Sequence, residues 1–366
     1  MDRPLGRLSR LSRLLLVALL VAPPAAAHGA APETPVLTTG SHRTTLPADE
    51  PRTFRLERTA PGTTLHVALW FTGAGESVGE GVRLSLGTAP GDERCGSGAV
   101  FRPTLGEPAP LLVTTVSSWT DTAEHPCTTA DALTVTVGVP SDPADRGRTA
   151  TLLVHEEPAL SSYAFELLDE PVTPGWVPPP PADPRPLEAG RTPADAPVVD
   201  DGSYEITVPP GRTALVAIPL DWDQTLRAQT TDDTLAVHVL GPVLGASEAS
   251  AEPGRAQSQV VSYRHRESYD VTAAGAALAG VHYVLVSAPG ARGAVTTTLT
   301  LARSGVAAAG IPDYADGSLR APPTASVPDD GDGGRTPLLV GGGIAAAVAA
   351  LLVVVATRRA ARARGR

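Results

Sequence analysis

Residues 53–58 read TFRLER, with alternating apolar and polar side chains, and residues 64–71 read TLHVALWF, in which the alternation is less regular. A period of two is typical of a β-strand with one buried face. Similar short runs follow at 82–86, 111–116, 133–139 and 151–154. Gly, Pro, Asp and Ser separate the runs at short intervals, and no long stretch has helical periodicity. Residues 28–170 are therefore predicted to form an antiparallel β-sandwich.

The second half of the chain repeats this pattern. Its strand-like runs lie at 204–208, 213–220, 225–230, 235–240, 282–287 and 295–301. Gly40 and Pro47 in the first half correspond to Gly202 and Pro209 in the second half at one constant offset. We interpret the two halves as distant repeats and predict a second antiparallel β-sandwich over residues 191–304.

A proline-rich segment separates the two β-rich regions. Residues 172–186 read VTPGWVPPPPADPRP, with four consecutive prolines. Such a run favours an extended polyproline conformation that cannot enter the interior of a sheet. Residues 171–190 are therefore predicted to be a semi-rigid spacer that holds the two domains apart. The alternative is a ligand for a proline-binding module.

The second β-rich region carries a family resemblance. Residues 192–229 read TPADAPVVDDGSYEITVPPGRTALVAIPLDWDQTLRAQ, with Gly202 and Tyr204 at the opening and LDWDQTL at 220–226; a late strand-like run follows at 280–286. This region resembles bacterial pre-peptidase C-terminal domains, especially those of signal-bearing, single-span actinobacterial surface proteins. The resemblance implies a jelly-roll-like sandwich that accompanies other proteins or domains, and it implies no catalytic residues. The first domain shares it only weakly.

The N-terminal end has the parts of a secretory signal peptide. Four arginines precede the short apolar run 14–22, and Ala25-Ala26-Ala27 offers a small-residue cleavage site. This order predicts that residues 1–27 are a signal peptide. A first transmembrane helix is the alternative, but the apolar run is too short to cross a bilayer.

The C-terminal end predicts a membrane anchor. Residues 338–356 read LLVGGGIAAAVAALLVVVA, without a charged residue, and five arginines follow. This run is long enough to cross a bilayer as a helix, and positive charge marks its cytoplasmic side. We therefore predict a transmembrane helix at 337–357 and a cytoplasmic Arg-rich tail at 358–366. Residues 305–336, which precede the helix and are rich in Pro, Asp and Gly, are predicted to be a disordered stalk.

The two cysteines, Cys95 and Cys127, both lie in the part that is expected to be exported. In an oxidising compartment such a pair predicts a disulfide. A metal site would need more ligands than His125 nearby, and a redox pair would usually have the C-x-x-C spacing. We therefore expect a structural disulfide between Cys95 and Cys127.

The charge distribution limits the possible partners. The whole chain has a formal charge of −10, and since residues 1–27 contribute +3 and residues 358–366 contribute +5, residues 28–357 carry −18. An acidic ectodomain is repelled by phosphate backbones, so no nucleic-acid partner is expected. Residues 329–334, DDGDGG, lack the spacing of a calcium loop. We interpret them as linker and expect neither a metal nor a cofactor.

Three features of the sequence are candidate sites. Residues 75–79, GESVG, fit the G-x-S-x-G motif around Ser77. That motif needs a helix after the serine, whereas a strand-like run follows here, so we interpret it as a hairpin turn. Trp70 and Trp222 are interpreted as core or edge aromatics, with a sugar-stacking platform as the alternative. The polar loop 119–127, WTDTAEHPC, is the first expectation for a binding surface.

Together these features favour a non-enzymatic, single-pass cell-surface membrane protein that displays two β-sandwich interaction domains. The N-terminus is expected outside the cell and the C-terminus in the cytoplasm. The expected partners are the membrane itself and an extracellular protein or cell-wall component. The sequence does not identify any ligand-binding residue. The alternatives are a carbohydrate or cell-wall-binding module and an accessory subunit of a membrane complex. An enzyme is the least favoured class.

Overall fold

The computed structural model describes residues 34–74, 79–102, 110–122, 124–268, 270–307 and 311–314 of the 366-residue chain. Within these ranges the chain is all-β. It has eighteen strands, three short α-helices and two 3₁₀ turns. The predicted all-β class is therefore confirmed for the described part of the chain.

The N-terminal domain contains the first nine strands. They are β1 (Val36–Leu37), β2 (Gly40–Thr45), β3 (Arg52–Glu57), β4 (Thr64–Thr72), β5 (Gly79–Gly87), β6 (Gly96–Arg102), β7 (Leu111–Ser117), β8 (Ala132–Val137) and β9 (Thr149–Glu157). The helix α1 (Pro126–Thr129) and a 3₁₀ turn (Pro143–Asp145) interrupt them. A second helix, α2 (Ser162–Glu166), follows β9.

The C-terminal domain contains the other nine strands. They are β10 (Arg185–Pro186), β11 (Gly202–Val208), β12 (Thr213–Leu220), β13 (Thr225–Thr230), β14 (Ala236–Leu240), β15 (Glu248–Glu252), β16 (Arg255–Ser258), β17 (Gly280–Ser287) and β18 (Val295–Ser304). A 3₁₀ turn (Tyr263–Glu267) and the helix α3 (Val271–Gly275) lie between β16 and β17.

The strands form four sheets. In the N-terminal domain, sheet I has the order β1-β3-β8-β5-β6 and sheet II the order β2-β9-β4-β7. In the C-terminal domain, sheet III has the order β12-β17-β14 and sheet IV the order β10-β11-β18-β13-β16-β15. The described pairings between these strands are antiparallel, except for the edge pairs β1–β3 and β10–β11, which are parallel.

The two domains share one strand order, as the interpretation of distant repeats requires. The order β2-β9-β4-β7 in sheet II matches β11-β18-β13-β16 in sheet IV, and β3-β8-β5 in sheet I matches β12-β17-β14 in sheet III. Gly40 and Gly202 begin the matching strands β2 and β11, with φ of 126° and 146°. That backbone region favours glycine, so the repeated glycine has a conformational reason.

Each domain is sandwich-like, with an apolar core between its two sheets. In the N-terminal domain, Leu56 and Val135 of sheet I face Leu65 and Leu152 of sheet II. In the C-terminal domain, the core has the same arrangement and includes Val216, Val284, Leu226 and Leu299. Every second side chain along a strand points into these cores, which explains the period of two in the sequence.

The two domains pack against each other through a third apolar layer. The outer face of sheet II contributes Ala68, Trp70 and Leu153, and the outer face of sheet III contributes Leu215 and Tyr283. The four sheets therefore stack in the order I, II, III, IV. Strands such as β4 are buried on both faces, and for this reason residues 64–71 alternate less regularly.

The proline-rich segment does not act as a spacer, and the prediction that it holds the domains apart is wrong. It crosses the outer face of sheet IV, where Gln257 Nε2 donates to the carbonyl of Pro174 at 2.5 Å and Arg227 Nη1 donates to the carbonyl of Val177 at 2.9 Å. It then pairs with β11 through β10. Prolines lack an N–H donor, but carbonyls in an extended segment still accept hydrogen bonds from a polar sheet face.

The expected disordered stalk at 305–336 is contradicted at residues 311–314. Tyr314 is buried, and it forms an isolated antiparallel bridge with Leu160. The aromatic ring and a buried hydrogen-bond partner hold this short segment against the domain junction. Residues 308–310 and 315–336 lie outside the described residues.

The predicted membrane topology falls outside the described part of the chain. Among the described residues, no helix has the length and apolar character needed to cross a membrane. The signal peptide at 1–27, the transmembrane helix at 337–357 and the tail at 358–366 all lie beyond those ranges. All three remain predictions from the sequence.

Candidate functional site

A buried ionic cluster lies at one end of the junction between the domains. Glu157, at the end of β9, accepts hydrogen bonds at 2.5 Å from Arg266 Nη2 to both of its carboxylate oxygens. The Tyr314 hydroxyl donates to Glu157 Oε1 at 2.6 Å, and His66 Nε2 lies 3.2 Å from Glu157 Oε2. The side chains of Glu157 and Arg266 are only 1% and 3% exposed. The cluster therefore joins β4, β9, the 3₁₀ turn of the C-terminal domain and the segment 311–314.

The cluster keeps its charges in spite of burial. Burial raises the pKa of Glu157, but Arg266, His66 and Tyr314 together outweigh it and lower that pKa to about 2. Burial lowers the pKa of His66 more than its contacts with Glu157 raise it, so the imidazole is neutral at pH 7. Burial and the negative charge of Glu157 raise the pKa of Tyr314. Glu157 and Arg266 are thus an ion pair, and His66 and Tyr314 are neutral donors to it.

The neighbouring carboxylate, Glu156, fixes the turn between β3 and β4. Its Oε1 accepts hydrogen bonds from the Thr63 hydroxyl at 2.5 Å and from the backbone N–H of Thr59 at 2.8 Å. His155, one position earlier, is the cross-strand partner of His66, and the two rings stack with centroids 5.8 Å apart. All three residues of the HEE run that ends β9 are therefore buried and structural.

Sequence reasoning missed this cluster, although the sequence holds a signal for it. Residues 155–158, HEEP, directly follow three consecutive apolar residues at 152–154. A strand that is apolar at consecutive positions is buried on both faces, so charged residues that extend it must find buried partners. The partner Arg266 comes from a YRHRE stretch 109 residues later, and no local pattern links the two.

An open cavity of about 480 Å³ lies beside the cluster, and we name it the seam cleft. The N-terminal domain contributes the loop after β7, and the C-terminal domain contributes the 3₁₀ turn Tyr263–Glu267. Helix α2 and the residues before it form a third wall. The side chains that define its chemistry are Trp119, Asp121, Thr128, Phe165, Tyr263 and Glu267. The loop 119–127, the first sequence expectation for a binding surface, thus lines a cavity between the domains.

Hydrogen bonds and a disulfide hold the loop wall in place. Ser118 is tied to Leu65 on β4, because its N–H donates to the Leu65 carbonyl and its Oγ accepts from the Leu65 N–H, both at 2.9 Å. The Thr120 and Thr128 hydroxyls are 3.1 Å apart and close the loop on itself. Arg58 donates to the Cys127 carbonyl at 2.5 Å. The loop is therefore anchored at both ends.

The predicted disulfide between Cys95 and Cys127 is present, with 5.3 Å between the Cα atoms. Both cysteines are buried and belong to the core between sheets I and II. The bond links the turn before β6 to helix α1. It therefore fixes the base of the loop that forms one wall of the seam cleft.

Loss of the disulfide is expected to destabilise the protein. Replacing Cys95 and Cys127 together by Ala should lower the free energy of unfolding by roughly 3–4 kcal/mol, since the bond closes a loop of 32 residues. Denaturant unfolding of the full chain in detergent measures the loss. Non-reducing peptide mapping of the unmodified chain should recover one linked peptide pair, and recovery of both cysteines as free thiols would contradict the assignment.

The opposite wall of the cleft is aromatic. The rings of Phe165 and Tyr263 meet edge to face at 6.0 Å, and the rings of Tyr263 and Tyr314 do so at 6.2 Å. The Arg266 guanidinium lies 3.6 Å from the centroid of the Tyr263 ring, and that of Arg264 lies 5.1 Å from the centroid of Phe165. Two members of the ionic cluster, Arg266 and Tyr314, therefore pack against the Tyr263 ring of this wall.

A second cavity of about 250 Å³ lies next to Trp119 and is lined in part by His66 and Arg266. Trp119 lines both cavities, so the two cavities adjoin each other at this residue. The apolar lining of the second cavity includes Val116, Val243 and Val271. The ionic cluster therefore lies close to both cavities but is itself almost fully buried.

The other candidates from the sequence lie elsewhere. Trp70 and Trp222 are both buried in apolar clusters, which confirms their assignment as core aromatics. Ser77 and residues 329–334 lie outside the described residues, and strand β5 follows Ser77 from Gly79 onward. Among the described residues, no group of three or more His, Cys, Asp or Glu side chains is arranged to hold a metal ion.

No family model and no curated protein matches the chain. Solved structures with a partial likeness include one of the Sulfolobus turreted icosahedral virus, 8% identical over 72% of this chain and 60% of that chain, with a TM-score of 0.19. Another is the CUB1-EGF-CUB2 region of human MASP-1/3, 10% identical over 73% of this chain and 100% of that chain, with a TM-score of 0.18. The chain therefore spans only 60% of the length of the virus chain. Likenesses this weak say nothing about function.

Proposed function

We propose that the chain is a non-enzymatic, single-pass cell-surface protein whose two jelly-roll-like β-sandwiches act as one rigid binding unit. The N-terminus lies outside the cell, and the Arg-rich tail lies in the cytoplasm. The signal-like start, the apolar run near the C-terminus and the resemblance to pre-peptidase C-terminal domains support this topology.

The packing of the two domains against each other is the observation that supports a single binding unit. The apolar layer between sheets II and III and the buried Glu157–Arg266 pair fix the two domains to each other. Between two fixed domains, the seam cleft keeps a constant shape. Binding sites that are formed before the ligand arrives lose less conformational entropy on binding, so this geometry suits recognition.

The topology can be tested with two epitope tags on the full chain. One tag is inserted after residue 33, where the described part begins, and the other follows Arg366. In intact cells, an antibody that does not cross membranes is expected to label the first tag, and it should reach the second only after permeabilisation. Labelling of the C-terminal tag in intact cells, or of neither tag, would contradict the proposed topology.

A carbohydrate or cell-wall-binding module remains the second candidate, and the lining of the seam cleft favours it. Aromatic rings beside carboxylates are found there in a cavity of suitable size. This candidate refines the proposal of a surface binding protein, because it names what the unit would bind.

A further inference from the structure

The seam cleft has the size and lining of a small-molecule site. Its volume of about 480 Å³ falls within the range of about 300–1,000 Å³ that is typical of such sites. Trp119, Phe165 and Tyr263 supply aromatic surface, and Asp121 and Glu267 supply carboxylates. The cleft therefore offers flat apolar area together with strong hydrogen-bond acceptors.

The charge of the lining restricts the ligand. Among the described residues that line the cleft, none is Arg, Lys or His. Ionised carboxylates accept hydrogen bonds but cannot donate them. A phosphate, sulfate or carboxylate ligand would be repelled by Asp121, by Glu267 and by the acidic ectodomain as a whole. The ligand must instead bring several donors of its own.

Trp119 is the aromatic side chain best placed to act as a platform. The rings of Phe165 and Tyr263 already lie beneath the guanidinium groups of Arg264 and Arg266. Trp119 is half-buried and lines both cavities, so part of its indole is open to the cleft. An indole is a large and rigid apolar surface that loses little conformational entropy when it binds a ligand.

We propose that the seam cleft binds an uncharged carbohydrate. The apolar C–H face of the sugar ring packs on Trp119, and hydroxyls at the rim of the ring donate to the carboxylates of Asp121 and Glu267. A sugar ring matches this lining because it has a flat apolar face and a rim of donors. The inference rests on the proposed surface location, since it names the ligand class of the same binding unit.

The wall that carries Trp119 is formed before binding. Trp119 follows Ser118, which is tied to β4, and its own N–H donates to Ser117 Oγ at 3.2 Å. The Cys95–Cys127 bond and Arg58 fix the other end of the loop. Little ordering is therefore needed on binding, which favours recognition of a small polar ligand.

A matched set of sugars tests the ligand class. The full chain is purified in a detergent without a sugar head group, and binding is measured by saturation-transfer NMR. The uncharged probes are cellobiose, mannobiose, lactose and N-acetylglucosamine, and the charged probes are glucosamine and glucuronic acid. We expect at least one uncharged probe to bind and glucuronic acid not to bind. Binding of glucosamine alone, weakened by salt, would overturn the proposal in favour of a cationic ligand, and binding of none would also overturn it.

Three variants connect the binding to the cleft. Trp119→Ala is expected to weaken binding of the uncharged probe at least tenfold. Trp176→Ala is the matched control, because Trp176 lies beside Arg255 on the outer face of sheet IV, and it should change binding less than twofold. Asp121→Asn tests the acceptor role without removing packing, and it is expected to weaken binding severalfold. Equal binding by Trp119→Ala and the unmodified chain, with both folded, would overturn the proposal.

The outcome of the binding test is independent of the outcome of the topology test. Antibody access to the two tags does not depend on any sugar, and sugar binding in detergent does not depend on the orientation in the cell. A surface protein that binds none of the probes would refute the carbohydrate inference and leave the proposed topology intact.

Discussion

Replacing Arg266 by Leu is expected to lower the free energy of unfolding by about 3–5 kcal/mol, because it leaves the Glu157 carboxylate buried without its counter-ion. Arg266 is the one cation bonded to Glu157 among the described contacts, and both side chains are almost fully buried. His66 and Tyr314 would still donate to Glu157, but neutral donors cannot replace a positive charge. Denaturant unfolding of the full chain in detergent measures the change.

Two comparisons measure how much of the stability loss comes from the unpaired buried charge. Arg55→Leu removes the cation of an exposed pair with Glu57, in which the side chains are 54% and 56% exposed, and should cost at most about 1 kcal/mol. The double variant Glu157→Gln with Arg266→Leu contains no buried charge at this place. It should recover part of the loss caused by Arg266→Leu alone. A cost for Arg266→Leu no larger than that for Arg55→Leu would show that water reaches Glu157.

The same cluster predicts a dependence of stability on pH. The pKa of Glu157 in the folded chain is about 2, below its usual value of 4.5, so unfolding is accompanied by proton uptake in acid. The stabilising contribution is complete above about pH 4.5 and is lost as the pH falls towards 2. Glu157→Gln should unfold with a flatter pH profile than the unmodified chain over this interval. Identical slopes for the two proteins would refute the depressed pKa.

Much of the fold could be predicted from the sequence, and the strands that were missed have few buried apolar side chains in alternation. Nine of the twelve predicted runs fall on interior strands, for example 225–230 on β13. The other three fall on the edge strands β7, β12 and β14, which are largely buried because other layers cover them. The missed strands are β1, β2, β6, β10 and β15 at sheet edges, and β16 beside an edge. An edge strand has partners on one side only, and β15, EASAE, is largely exposed. The missed strands carry too little apolar alternation for a sequence pattern to reveal them.

The site was only partly predictable. The disulfide and the loop 119–127 followed from local features, namely a cysteine pair in an exported region and a polar segment between strands. The wall contributed by Tyr263 and Glu267 comes from the other domain, and nothing in those residues indicates that they meet Trp119. The spacer prediction failed for the same reason. Proline content limits the conformation of a segment but does not say which surface the segment will lie on.

Leu215→Ala is expected to lower the free energy of unfolding by about 2–5 kcal/mol, the range for a fully buried leucine. Leu215 lies on β12 of the C-terminal domain, is 0% exposed and packs in the layer shared with Trp70 and Leu153 of the N-terminal domain. If the stacked sheets unfold as one unit, the loss must appear in both domains. Hydrogen exchange with mass spectrometry should therefore show faster exchange in β4 and β9 as well as in β12.

Two further variants decide whether the domains are coupled. Val271→Ala removes an exposed side chain and should change stability by less than about 0.5 kcal/mol. Leu226→Ala removes a side chain from the core between sheets III and IV, and in a coupled protein it should also speed exchange in β4. Two separate unfolding transitions, with β4 and β9 unaffected by either leucine variant, would show that the domains unfold independently. In that case the layer between sheets II and III would add too little free energy to hold the seam cleft in one shape, and the argument for a rigid binding unit would fail with it.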